Sequence, residues 1–184
     1  QKARLAALAE IVPLQGHNCD GFTRALTPVI AARARSVAGT ITAANAAIAA
    51  DGAAFCLVVS ERIARQSRKS LRIAAGATLG SAPDLPGLAP IAAMRKVLVG
   101  FDVDRIAQVE MMEAYAVQAI ACLSAVGFEP GRVNPGGGAL ARGHPVGASG
   151  AILATRLFSD LGAGYGLAAI AAAGGIGTAV LFET

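Results

Sequence analysis

The sequence predicts an α/β domain: a mixed sheet with helices on both faces, its strand order set by one βαβαβ-type unit. Three observations predict it. Apolar runs of strand length occur at 53–59 and 71–78. Stretches of helical character at 91–99, 116–126 and 150–161 alternate with strand segments. Residues 166–183 hold two apolar runs around a glycine turn, which is a hairpin pattern. With 54% hydrophobic, 4% aromatic and 15% charged residues among 184, the interior is alanine- and glycine-rich and its elements pack closely. That length suits one core and one domain, residues 1–184. A free-standing domain shows more polar surface than this, so another chain or segment is expected to cover part of the outside.

The net charge of +4 and isoelectric point near 9.3 are mild. There is no Lys/Arg run interleaved with aromatics, no Trp and no zinc-type Cys/His spacing, so neither nucleic acid nor a metal is expected. An anionic substrate suits such a balance. No apolar run free of Gly and charge approaches the ~18–20 residues of a membrane span, and no signal peptide is expected. Cys19, Cys56 and Cys122 are odd in number and widely spaced. A reducing, cytoplasmic compartment without a disulfide framework is expected.

Taken in order, residues 1–10 carry Arg4, Leu5 and Leu8 at helical spacing, and Ile11-Val12-Pro13-Leu14 reads as a short strand. His17-Asn18-Cys19-Asp20 reads as a surface loop, since adjacent residues in an irregular segment rarely converge on a metal. Residues 31–35 form a solvated helical turn. In 39–54, Thr42 and Asn45 can satisfy loop backbone groups, and Asp51-Gly52 marks a turn. The run 53–59 is expected as a strand buried on both faces, with Cys56 as inert core inside it. Ser60 caps a helix over 61–67. Arg62, Arg65, Arg68, Lys69 and Arg72 are either a solvated helix face or a seat for phosphates. A Pro/Gly loop over 80–90 leads to an amphipathic helix, 91–99, with Arg95 and Lys96 on its wet side. Residues 102–106 open a new helix–strand unit, and Cys122 lies in the buried helix over 116–126.

The most informative stretch is 134–150. It holds six glycines between Gly136 and Gly150 and one of only two histidines in the chain. Glycine reaches positive φ and admits close neighbours, so the pattern points to a crowded turn that presents His144. Pro145 pushes His144 out of helical geometry. Ser149 reads as the N-cap of a helix over 150–161. The imidazole then lies beside a helix start, where free N–H groups favour an anion.

The segment Gly-Gly-Ala-Leu-Ala-Arg-Gly-His-Pro-Val-Gly-Ala-Ser-Gly, 137–150, resembles the Gly-His-Pro motif of the thiolase family. The resemblance covers nearly all of this chain but only about the second half of a family member. It implies the layered αβαβα thiolase fold and exchange of acyl groups between coenzyme A and a 3-ketoacyl-CoA. The coenzyme A thioester is substrate, and no cofactor is bound covalently. His144 would activate a nucleophilic cysteine supplied by the other half and polarise a thioester oxygen. Val109–Gln118 resembles the family's Glu–x–(Asn or His)–Glu–Ala–Phe–Ala, with Met112 at the position that holds a catalytic water. A thioether is a weak acceptor and no donor. Glu113 is retained, either as an acceptor for backbone N–H groups or to orient His144.

The terminal hairpin is similar to the family's Cys–x–(Gly or Ala)–Gly–Gly–x–Gly. Ala171 stands at its acid/base cysteine, and the N–H of Ala173 at its oxyanion donor. The Ala-Ala-Gly-Gly form is nearest to thiolase subunits of fatty-acid oxidation complexes. Ala75 stands where the family often offers a serine to the pantetheine arm, and Arg68 and Lys69 lie in the region near the nucleotide. Loss of a general base costs ~10²–10⁴-fold in rate, so full activity is not expected of this polypeptide alone. Expected partners are acyl-CoA, an N-terminal thiolase half in cis or in trans, and further copies in a homo-oligomer. The alternatives are a degenerate relative that binds acyl-CoA or scaffolds an active partner, and a decarboxylating ketoacyl-synthase-like enzyme. The Gly-His-Pro form favours thiolase over synthase.

Overall fold

The structure, a computed structural model, describes residues 11–18 and 26–184. The helix expected over 1–10 and the residues Cys19 and Asp20 lie outside the described residues. The described chain opens with a short helix α1 (Pro28–Ala32), a ribbon of β1 (Ser36–Ala38) and β2 (Ile41–Thr42), and a helical turn α2 (Glu61–Ala64). The layered part follows: β3 (Arg72–Gly80), α3 (Pro90–Val97), β4 (Ile106–Met111), α4 (Ala116–Val126), α5 (Ala139–Arg142), α6 (Ser149–Asp160), β5 (Tyr165–Ala172) and β6 (Ile176–Glu183).

These last four strands form one sheet in the order β3-β6-β5-β4. β4 and β5 run parallel, while β6 is antiparallel to both its neighbours. A parallel pair needs a long crossover, and α4, α5 and α6 supply it. The β5–β6 hairpin closes through Ala173, Gly174 and Gly175, the two glycines at φ 81° and 79°. Pro90 opens α3 at its first turn, and Gly127 ends α4 in the left-handed region at φ 90°.

Side chains alternate across the sheet. On β5, Leu167 and Ala169 join Met94 and Val97 of α3 and Cys122 and Leu123 of α4 in the larger core. Ala168 and Ile170 pack on the opposite side with Leu153 and Leu157 of α6. Helices therefore cover both faces of a mixed sheet, as the sequence predicts. α4 spans the predicted residues, and Arg95 and Lys96 of α3 are exposed.

Several local expectations fail. Residues 51–60 form no regular structure. Phe55, Leu57 and Val58 are 92%, 89% and 77% exposed, so the strand expected over 53–59 is neither paired nor buried among the described residues. Its apolar pattern reports what the segment could bury, but no neighbouring strand is at hand to bury it. Cys56 is accordingly exposed rather than core, its Sγ 3.6 Å from Thr155 Oγ1 on α6. Asp51-Gly52 is not a turn; the Pro145 ring stands 2.8 Å from where a Cβ on Gly52 would lie, holding that segment against the His144 loop. Ile11–Leu14 is not a strand: Leu14 and His17 close a tight, exposed turn by mutual backbone bonds of 3.1 and 2.9 Å. The helix after Ser60 stops at Ala64, and Ser60 makes no side-chain cap.

Candidate active site

β4 carries Glu110 and leads into Met112 and Glu113 beside the glycine loop, and Asn134 docks that loop. Asn134 sits at φ 44°, a conformation asparagine tolerates better than most residues. Its Oδ1 accepts from Met111 N at 2.8 Å and its Nδ2 donates to Met111 O at 2.9 Å. The same Nδ2 donates to Glu113 Oε1 at 2.5 Å. Glu113 Oε2 accepts from Leu140 N at 3.2 Å, so this carboxylate holds the glycine loop. A Cβ on Gly138 would overlap the Glu113 carboxylate, which explains glycine there.

His144 is half-buried and anchored through its backbone. Its N–H donates to Ile48 O at 2.7 Å and its carbonyl accepts from Ala50 N at 3.4 Å. Just upstream, Ala47 N donates to Ala114 O and Ala116 N to Asn45 O, both at 2.9 Å. Residues 45–50 thus lie between the segment after β4 and the His144 loop. Asn45 and Thr42 satisfy this loop internally: Asn45 Oδ1 accepts from Thr42 N at 2.7 Å and Thr42 Oγ1 from Ala44 N at 3.2 Å.

The ring's partner is Ser149, with Nδ1 and Oγ 2.7 Å apart. Ser149 is 3% exposed and is the first residue of α6. It is not the N-cap: Ala148 holds that place, and no side-chain cap is made. Partial burial lowers the His144 pKa and favours the neutral ring at pH 7. A cleft of about 190 Å³ adjoins this loop, lined by Gly52, Met112, Arg142, Pro145, Ser149 and Leu153 among others. Met112 is 4% exposed and packs with Ala139, Leu153, Leu157 and Ala168.

Behind the loop lies a buried ion pair. Arg156 Nε of α6 donates to Glu110 Oε2 at 2.9 Å, and Gln108 Nε2 to Glu110 Oε1 at 3.0 Å. The Arg156 and Glu110 side chains are 5% and 0% exposed. Burial pushes the Glu110 pKa up, while Arg156 and Gln108 pull against it. The Arg156 guanidinium fills the space a Cβ on Gly136 would need.

The other predicted residues fall elsewhere in the fold. Ala171 lies opposite Gly177 near the end of β5, and Ala173 in the exposed turn beyond it. Ala75 follows an irregularity in the β3–β6 ladder and packs on the larger core. Lys69 Nζ donates to Ser159 O and Leu161 O at 3.0 and 3.4 Å, at the carbonyl end of α6, and stands 5.5 Å over the Phe158 ring. Arg65 pairs with Glu61 and Arg72 with Glu183. Arg62 and Arg68 are exposed. Asn134, Ser149, Glu110 and Arg156 were not singled out as site residues from sequence. Their type and position carried one usable signal, the Asn-Pro-Gly-Gly start of the glycine loop. The described residues bring together no group of three metal-ligating His, Cys, Asp or Glu side chains.

The thiolase C-terminal domain family model matches residues 68–184. The chain belongs to the thiolase family. An acetyl-CoA acetyltransferase from Shinella zoogloeoides is 44% identical over 155 residues, covering 79% of this chain and 39% of that protein. The dimeric peroxisomal thiolase of Saccharomyces cerevisiae superposes over all of this chain and 52% of its own, with a TM-score of 0.84 and 29% identity. The Acat5 thiolase from Ascaris suum, solved in complex with coenzyme A, gives a TM-score of 0.79 at 27% identity over 100% of this chain and 55% of its own. This thiolase chain thus spans about two fifths of the length of the curated relatives it matches. None of its described helices is long and apolar enough to cross a membrane.

Proposed function

We propose that this chain is the histidine-bearing half of a thiolase-type acyltransferase that moves acyl groups between coenzyme A and 3-ketoacyl-CoA in fatty-acid or short-chain acyl-CoA metabolism. The observation that carries it is His144 on a glycine loop beside a cleft, its ring held by the buried Ser149. A neutral imidazole can take a thiol proton as general base, or donate to a thioester oxygen. The Ala173 N–H at the hairpin turn is the proposed second oxyanion donor, since a backbone donor survives loss of the neighbouring side chain at Ala171. Glu113 holds the loop through Asn134 and Leu140.

The nucleophile comes from an N-terminal half in cis or in trans. Cys122 is buried with its thiol pKa pushed up, and the Cys56 thiol faces Ala151 and Thr155. That same half, in a homo-oligomer of complete subunits, covers Phe55, Leu57 and Val58. Arg62 and Arg68 are the proposed seat for the coenzyme A phosphates, because Lys69 is committed to the end of α6. Ala75 can offer the pantetheine arm only its backbone. The free thiols of Cys56 and Cys122 suit a reducing, cytoplasmic compartment.

A second function, binding acyl-CoA without turnover, is favoured by Met112, buried among apolar side chains where the family holds a water. Cleavage of acetoacetyl-CoA, measured with the N-terminal half present, separates the two. Ala171→Cys with Met112→Asn is expected to raise the rate by ~10²-fold or more. A folded double variant that stays inactive leaves binding, and isothermal titration with acetyl-CoA then tests that.

A further inference from the structure

We propose that Ser149 is the positioning residue for His144, a neutral two-way partner that fixes the ring's orientation but leaves its proton free to sit on either nitrogen. The proposal rests on the acyl-transfer role given to His144 above.

The geometry starts from the backbone. His144 is tied to Ile48 and Ala50 on its main-chain side, so what remains to be set is the ring. Its Nδ1 is bonded to Ser149 Oγ at 2.7 Å. Nε2 has no hydrogen-bond partner among the described residues and is the atom available to a ligand. The Ser149 hydroxyl is buried and makes no cap to α6, so its bond to the ring does not compete with helix capping. Ser149 follows His144 by five positions, and the Val146–Ala148 turn folds the chain back to bring them together.

The chemistry of the partner matters more than its position. A hydroxyl donates and accepts. With the ring proton on Nδ1, Ser149 accepts it and Nε2 is a base. With the proton on Nε2, Ser149 donates to Nδ1 and Nε2 is a donor. A carboxylate in this place would only accept, would hold the proton on Nδ1 and would favour the cation. Serine imposes neither, so the group that meets Nε2 decides the tautomer: a thiol finds a base, a thioester oxygen finds a donor. Among the described residues no charged side chain is hydrogen-bonded to the ring, and partial burial lowers its pKa.

The test is ¹⁵N NMR of the intact, histidine-labelled protein, with the His144 signals assigned by their loss in His144→Asn. Ser149→Asp is expected to fix the proton on Nδ1 and raise the ring's titration midpoint by about a unit or more. Ser149→Ala is expected to leave the ring neutral but broaden its signals, and Ser149→Thr to restore the parent pattern. In the cleavage assay Ser149→Ala should lower kcat by up to ~10²-fold with KM little changed, and Ser149→Thr should recover it. Folding of each variant is checked by thermal melting. If the ring signals and midpoint are the same in Ser149→Ala, Ser149→Asp and the parent, the proposal is overturned even where the enzyme is active. With the N-terminal half present, a folded Ala171→Cys, Met112→Asn protein that is inactive while showing the expected ring signals overturns the acyl-transfer role instead and leaves the Ser149 assignment standing.

Discussion

Leu167 and Ala169 of β5 point into an apolar layer with Met94, Val97, Cys122 and Leu123. Ala168 and Ile170, one residue out of phase, face α6. On that second side the next strand contributes Glu110, which meets Arg156 and Gln108. Alternate residues of the same strands thus build two different interiors. The first is held by apolar burial, which is non-directional and tolerates exchange of shapes. The second contains a buried ion pair, whose gain depends on geometry and whose disruption leaves an unmatched charge. The polar side is also the side that meets Gly136 of the glycine loop. One interior therefore contributes mainly stability, while the other couples stability to the position of the candidate site.

The largest expected effect tests the polar interior. Arg156→Met should cost ~3–5 kcal/mol in urea unfolding by stranding Glu110, and Glu110→Leu in the same chain should recover most of it. Equal losses in the single and double variants would remove the distinction between the two interiors. Next, Met94→Ala on the apolar side should cost about 3 kcal/mol, lowering the urea midpoint without changing the slope. The ¹⁵N signals of His144 should stay in place; a shift there would mean that the apolar interior also controls the site. Gly138→Ala should cost ~1–3 kcal/mol, because its methyl group must displace the Glu113 carboxylate. Unlike Met94→Ala, it should perturb the His144 ring.

The smallest effect is with pH. The folded-state pKa of His144 lies below its unfolded value, so the unfolded chain binds more protons between the two. Stability is fully present above pH ~6.5 and falls as pH drops from there through the folded pKa. Unfolding curves at pH 7.5 and 5 should show this component in the parent and lack it in His144→Asn. Its persistence in the variant would place the titration on another group.

Local pattern carried much of the fold. The α4 helix was readable from its apolar run over 116–126, and the β5–β6 hairpin from two runs around a glycine turn. Glycine density marked the His144 loop for the same reason: a backbone at positive φ and a carboxylate packed onto Gly138 both exclude side chains. Ser149 shows where local pattern misleads. Serine before a helix is a common cap, yet its hydroxyl turned to the imidazole five residues earlier.

By itself, then, the sequence determined the 116–126 helix, the terminal hairpin and the loop that presents the histidine. These depend on periodicity and on steric limits acting within a few residues. Only the tertiary structure decided that Arg156 finds Glu110 across 46 positions, that Ser149 serves the ring, and that Phe55, Leu57 and Val58 face outward. A charge partner, a tautomer partner and a covering surface are supplied by chain distant in sequence, and no local periodicity encodes which chain will arrive.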